Sequence, residues 1–168
     1  MYLFQIVVPR GSSIALMKVL ENKIPPPIVG LLIAAAMWGL ARITAATLAV
    51  PDPVFAASAV ALVGIGFDIA GIVSFRLAKT TVNPLRPEKA TALVTSGIYR
   101  ITRNPMYVGM LLLLMAWAIY LNSPWALIGP LVFVLYMNRF QIGPEEKALE
   151  ALFGDDFIDY KRRVRRWL

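Results

Sequence analysis

The side chains able to do chemistry lie in a few separated stretches of an otherwise apolar chain. Leu93–Gly109 is polar, basic and turn-rich, carries Arg100, Arg103, Asn104 and Tyr107, and runs into the nearly pure hydrocarbon of Val108–Leu121. Asn104 is a favoured N-cap and Pro105 a favoured first helical residue, so the spacing predicts a helix starting here. The first N–H groups of a helix lack partners and carry partial positive charge, which suits an anion. Arg100 and Arg103 stand just before them, and Gly109 leaves room for close approach to the backbone. The plainer reading of the same residues is a capped membrane helix with basic anchors. Glu145 and Glu146 follow Gly143-Pro144 in the first turn of a later predicted helix. Carboxylates at that position complement the helix dipole. Asp68 stands alone about 12 Å inside an apolar run, at 1.5 Å per residue. An ionisable group at that depth is a functional candidate, or a carboxylate that is protonated or paired with a neighbouring helix. Arg42 falls roughly 21 Å along another such run. Its long side chain can snorkel outward.

The composition says what holds these groups. With 168 residues, 58% of them hydrophobic, the chain reads as one membrane-embedded domain. The net charge of +7 does not point to nucleic acid in so apolar a chain; it suits anionic lipid headgroups. There is no cysteine and no histidine. Disulfides, thiol nucleophiles and imidazole bases are excluded with them, and no metal site is expected.

The elements that must position these groups follow from hydropathy. The fold class is all-α: a polytopic membrane protein of about four transmembrane helices with short cytoplasmic amphipathic helices. Residues 1–27 form an N-terminal cytoplasmic or interfacial segment. Within it Val8–Ser12 resembles a protease-site scar, so 1–13 are set aside, while Ile14–Lys23 suits a short surface helix. Pro25-Pro26-Pro27 is expected to be extended. The membrane domain is 28–168, with spans at about 28–48, 54–75, 105–121 and 124–137 and a tail at 141–168. Gly64, Gly66, Ala70 and Gly71 make the second span a close-packing face. Pro130 is expected to kink the last span. Gly64-Ile65-Gly66 lies inside an apolar run, and no glycine-rich dinucleotide motif follows a strand anywhere, which excludes a soluble dinucleotide-fold enzyme.

Basic residues set the orientation. The short loops at Ala49–Pro53 and Asn122-Ser123 carry none, so both termini and the central loop are expected on the cytoplasmic side. The tail reads as two helices. Gly154 stops the first, and Phe157, Tyr160, Val164 and Trp167 form the apolar face of the second. Lys161, Arg162, Arg163, Arg165 and Arg166 lie opposite them, a face suited to anionic headgroups.

The motifs carry a resemblance. Gly97-Ile98-Tyr99, then Arg103-Asn104-Pro105-Met106-Tyr107 with Gly109, then Arg139-Phe140 and Pro144-Glu145-Glu146, then Phe153-Gly154 with Phe157, Tyr160 and Val164, stand in one order. In order and spacing they resemble the isoprenylcysteine carboxyl methyltransferase and phospholipid methyltransferase superfamily. The likeness covers Asn83–Trp167, about half the chain. It implies an integral membrane enzyme that uses S-adenosylmethionine. Carried over residue by residue, Val94, Thr95, Gly97 and Tyr99 would line the cofactor pocket. Arg103, Asn104 and Tyr107 would approach its methionine end, and Glu145 and Glu146 would close it, with Tyr160 nearby. A carboxylate there can accept from ribose hydroxyls or attract the sulfonium and α-amino groups. Arg103, Asn104, Tyr107 and Asp68 are the candidate catalytic groups. The resemblance departs at Asn104, where eukaryotic members usually have histidine; asparagine keeps a hydrogen-bonding group there and gives up a titratable one.

The resemblance implies methylation of a lipophilic acceptor, such as a prenylated or lipid molecule. Displacement at a sulfonium methyl needs no general base when the acceptor is a carboxylate, which fits a chain without histidine. The alternative acceptor is a phospholipid ethanolamine headgroup, whose ammonium would first need deprotonation by Asp68, Glu145 or Tyr107. A non-enzymatic helical membrane protein is the reading from another class.

Overall fold

The computed structural model describes residues 23–78 and 92–168. The expectations for 1–22, and for the loop carrying Asn83-Pro84 and Arg86-Pro87, lie outside the described residues. Among the described residues every regular element is helical, apart from one parallel bridge between Thr102 and Arg165. Three helical stretches, Pro26–Ile43, Pro53–Leu77 and Pro124–Phe153, are long and apolar enough to cross a membrane. The chain is a polytopic all-α membrane protein.

Helix α1 is Pro26–Ile43. Pro26 and Pro27 open its first turn, where a missing N–H costs nothing, so the proline run starts the helix instead of preceding it. The helix also stops five residues short of the expected Leu48. Thr44 is extended and its Oγ1 turns back to donate to Leu40 O at 2.9 Å. The strand-like segment after it is held by Asn122, whose main-chain and side-chain oxygens accept from Leu48 N (3.0 Å) and Val50 N (3.4 Å). Arg42 therefore sits in the last turn of α1, over the Trp38 ring at 5.3 Å, and not deep in a span.

Helix α2 is Pro53–Leu77, capped by Asp52, whose carboxylate accepts from Phe55 N at 2.9 Å. It buries Ala57, Gly64 and Gly71 at seven-residue steps, followed by Ser74. Seven residues are nearly two turns, so these small residues form one stripe. Against it lies α3, Pro105–Tyr120. A Cβ on Gly64 would stand 2.9 Å from Gly109 O, and one on Gly71 2.8 Å from Met106 Cγ. A Cβ on Gly109 would stand 2.3 Å from Asp68 Oδ1, so the space at Gly109 is filled by α2 and its Asp68. Gly66 faces open space. At 16 residues α3 is shorter than a full crossing at about 20.

The last span does not end at 137. A 3-10 turn at Pro124–Leu127 leads into α4 (Ile128–Tyr136), a π-helical turn (Met137–Ile142) and α5 (Gly143–Phe153) without a break. Gly143-Pro144 thus continues a helix instead of opening one. Pro130 is third in α4, inside its first turn; the irregularity of this run is the π turn further on. Helix α6 is Asp155–Arg163, entered through Gly154 at φ +52°. It ends before Val164, so Val164 and Trp167 leave the helix and the last residues run extended.

The core lies between α1, α3 and the α4–π run. Val29, Met37, Tyr107, Leu114, Ala118, Phe133, Met137 and Ile142 pack together. Trp117 Nε1 donates to Ala34 O at 3.0 Å, tying α3 to α1. The outward residues of α1 and α2, such as Leu31, Phe55 and Leu62, are exposed as in a lipid-facing surface.

Candidate active site

The polar groups collect at one end of the bundle, where the loop before α3 meets the π turn, α5 and the tail. The 3-10 turn Gly97–Arg100 begins at Gly97 with φ +59°, and a Cβ there would meet Ser74 Oγ at 2.9 Å. Only glycine fits both the backbone and the space. The turn buries Tyr99 edge-on against Phe75, ring centroids 5.4 Å apart. Tyr160 Oη, from α6, donates to Tyr99 O at 2.7 Å. Burial pushes the phenols of Tyr99 and Tyr160 above their ordinary value. Tyr160 and Glu145 raise Tyr99 further, and Arg103 pulls Tyr160 partly back. Val94 is buried and Thr95 exposed.

Arg103 and Glu146 form the centre. Arg103 Nη2 donates to Glu146 Oε1 at 2.7 Å, with side chains 11% and 12% exposed. Arg103 Nη1 donates to Lys161 O (3.2 Å) and to Val164 O, the carbonyls at the end of α6, while Nε is buried without a partner among the described residues. A cation on the last carbonyls of a helix is favoured by the dipole as well as by the bonds. Next to this, Tyr107 Oη and Gln141 Nε2 both donate to Glu145 Oε1 at 2.6 Å. Gln141 belongs to the π turn, a feature that recurs at functional sites because it re-aims side chains within a helix.

Two expectations change. Asn104 is at the N-cap position of α3, but its side chain makes no cap bond; Nδ2 donates to Arg166 O at 2.9 Å. Arg166 is not a free headgroup anchor: it pairs with Glu146 through Nη2–Oε2 (2.5 Å) and donates from Nε to Oε1 (3.1 Å). Of the other tail cations, Lys161 pairs with Glu150 and Arg162 with Asp159.

The structure therefore brings Arg103, Asn104, Tyr107, Glu145 and Glu146 together, with Tyr99 and Tyr160 alongside. It sets Asp68 apart. Asp68 meets the Gly109 side of α3, and Tyr107 is two residues, about 200°, around that helix. A groove of about 590 Å³ opens beside the cluster, lined by Gly143, Glu146, Lys147, Glu150, Ala151, Lys161 and Arg166. That is the size of a small-molecule site, and it offers both carboxylates and ammonium groups. Of the expected cofactor residues only Glu146 lines it; Val94, Thr95, Gly97, Tyr99, Arg103, Asn104, Tyr107, Glu145 and Tyr160 do not. Thr102, Asn138, Gln141 and Arg166 are the participants that motif spacing alone missed. A buried-side threonine, asparagine or glutamine in an apolar run, needing partners, was the available signal. Among the described residues no group of His, Cys, Asp or Glu could hold a metal ion.

An integral membrane helical bundle with a carboxylate–arginine cluster at one end is the class defined so far. The chain matches the phospholipid methyltransferase family over residues 53–156 and belongs to that family. Membership implies methyl-transfer chemistry and a methyl donor. The chain is 48% identical over 63 residues to an uncharacterized protein of Haemophilus influenzae, covering 38% of this chain and all of that one. It is 34% identical over 83 residues to protein-S-isoprenylcysteine O-methyltransferase B of Arabidopsis thaliana, 48% of this chain and 41% of the relative. It is 35% identical over 91 residues to methanethiol S-methyltransferase of Pseudomonas deceptionensis, 51% of this chain and 32% of the relative. The chain thus spans less than half the length of these two named relatives. No solved structure matches it significantly.

Proposed function

We propose that this protein is an S-adenosylmethionine-dependent methyltransferase that methylates a carboxylate on a lipophilic acceptor. The observation that carries the reading is the convergence of Tyr107 and Arg103 on the adjacent carboxylates Glu145 and Glu146, at 2.6 and 2.7 Å. The donor set fits the cofactor. Glu146 and Glu150 line the groove and offer carboxylate oxygens to a ribose hydroxyl or to the cationic end, Glu145 Oε2 accepts no hydrogen bond among the described residues, and Lys147 and Lys161 at the groove suit a carboxylate. When bound, the cofactor supplies an activated methyl group on a neutral leaving group. The chain's own residues bind, align and exclude water. Tyr107 and Gln141 fix the Glu145 carboxylate, Arg103 fixes Glu146, and Asn104 and Arg103 tie the tail over the loop before α3. No side chain here has to accept a proton from a carboxylate acceptor.

The acceptor class is supported by the similarity to isoprenylcysteine O-methyltransferases and by the absence of histidine. The family's phospholipid description favours a second reading, N-methylation of an ethanolamine headgroup, in which Glu145 serves as base. The site faces the cytoplasm in this reading, since Arg103, Arg139 and the basic tail share its end of the bundle. The exposed Arg162, Arg163 and Arg165 meet anionic headgroups there.

The test is calorimetric titration of detergent-purified protein with S-adenosylmethionine, followed by a screen of prenylcysteine and phosphatidylethanolamine acceptors. Wild-type binding that Glu145→Ala removes is the expected result. A wild type that binds no cofactor ends the enzyme reading. Transfer to phosphatidylethanolamine alone selects the second acceptor.

A further inference from the structure

The basic residues of the C-terminal segment do not serve alike. Arg162, Arg163 and Arg165 are exposed, whereas Arg166 is held from two directions. Its guanidinium grips Glu146 with Nε (3.1 Å) and Nη2, and Nη1 donates to Asn138 Oδ1 at 3.3 Å. Its main-chain carbonyl accepts from Thr102 Oγ1 (3.1 Å) and Asn104 Nδ2 (2.9 Å). The neighbouring Arg165 O accepts from Arg103 N at 2.9 Å, completing the parallel bridge. One residue thus joins the loop before α3 to the π turn and α5, the two halves of the candidate site.

The two carboxylates are treated unequally as a result. Both oxygens of Glu146 are engaged by arginines. Both bonds to Glu145 fall on Oε1. We infer that Arg166 is a positioning residue of the cofactor site: it locks Glu146, which lines the groove, against the Thr102–Asn104 loop and so fixes the carboxylate that the ligand meets. The inference rests on the functional reading above. Its physical basis is that a carboxylate held by two guanidinium groups has one orientation, and the helix that carries it inherits that register. The Arg166 side chain is 36% exposed, which moderates the effect without removing it.

The experiment is a calorimetric titration of the full chain in detergent with S-adenosylmethionine, comparing wild type, Arg166→Ala, Arg166→Lys, Glu146→Gln and the double variant Arg166→Ala/Glu146→Gln. Arg166→Ala is expected to weaken binding about tenfold, and Arg166→Lys about threefold. The double variant is expected to bind within about twofold of the weaker single variant, because both changes remove the same contact. Arg162→Ala, on the exposed face of α6, is expected to bind like wild type. A merely structural role would lower the melting temperature and leave the affinity of the folded protein unchanged. If Arg166→Ala does not fold, Arg166→Gln carries the same criterion. Wild-type binding with Arg166→Ala within about twofold of it overturns this inference alone, as do effects of the two sites that multiply. A wild type that binds nothing overturns it together with the functional reading.

Discussion

Tyr107 and Glu145 meet at 2.6 Å although 38 residues separate them, one in the first turn of α3 and the other in α5 just past the π turn. The hydroxyl donates to a carboxylate that also receives Gln141 Nε2, and the tyrosine is buried in the core. Tyr107→Phe removes the donor and keeps the ring. The expected loss is about 1.5–3 kcal/mol of stability, the range for a hydrogen bond to a charged group. Thermal unfolding in detergent measures it. The same variant is expected to bind S-adenosylmethionine more weakly, because Glu145 then has one orienting partner.

Arg103 ties three places together: Glu146, Lys161 O and Val164 O. Removing it leaves Glu146 to Arg166 alone and takes the donor from two carbonyls at the end of α6, at a cost of about 1–3 kcal/mol. Arg103→Ala should therefore release the C-terminal segment. Limited trypsin digestion is expected to cut after Arg165 and Arg166 faster than in wild type, with Arg162→Ala as the comparison. Equal cutting rates would show that the tail is held without Arg103.

The glycines of α2 and α3 make a graded prediction. A Cβ on Gly64 meets the Gly109 main-chain oxygen at 2.9 Å, and one on Gly109 meets Asp68 Oδ1 at 2.3 Å and Gly64 O at 2.7 Å. Main chain cannot step aside, so Gly64→Ala and Gly109→Ala are expected to destabilise by about 1–3 kcal/mol. Gly71→Ala meets the flexible Met106 side chain and should cost less. Gly66→Ala meets nothing within 4 Å and should be neutral or stabilising through helix propensity. Melting temperatures of the four variants in one detergent give the order.

The Tyr160 phenol is held above its ordinary value of 10.0 by burial, and it donates to Tyr99 O at 2.7 Å. A raised folded-state pKa makes the contribution complete below the unfolded value and lost as pH climbs towards the folded one. Above pH 10 the unfolded chain gives up the proton first, so stability falls. Tyr160→Phe has no phenol to titrate. Its melting temperature is expected to fall less steeply between about pH 9 and 11 than that of wild type. Parallel pH curves would separate the Tyr160 hydroxyl from the alkaline loss.

The chain's sequence by itself determined the membrane-spanning, all-helical character, because the length and purity of an apolar run decide whether it enters lipid. It also determined that Asn104-Pro105 begins α3, that Gly154 separates the last two helices, and that the motif loop and tail meet. These are local backbone preferences or like-charged ends of spans, and both are written in neighbouring residues. The end of α1 at Ile43 was not legible, because the amides of Leu48 and Val50 are satisfied by Asn122, which is distant in sequence. Nor was the continuity from α4 through the π turn into α5, since Gly143-Pro144 reads locally as a start and is overridden by the buried Met137 and Ile142. The C-terminal segment shows the difference most directly. Its basic residues alternate as a surface helix would, yet Arg166 is spent on Glu146 and Asn138, and its carbonyl on Asn104. Helical periodicity tells which face a residue is on. Only the tertiary structure decides which charges desolvate together, because that depends on what another part of the chain brings to meet them.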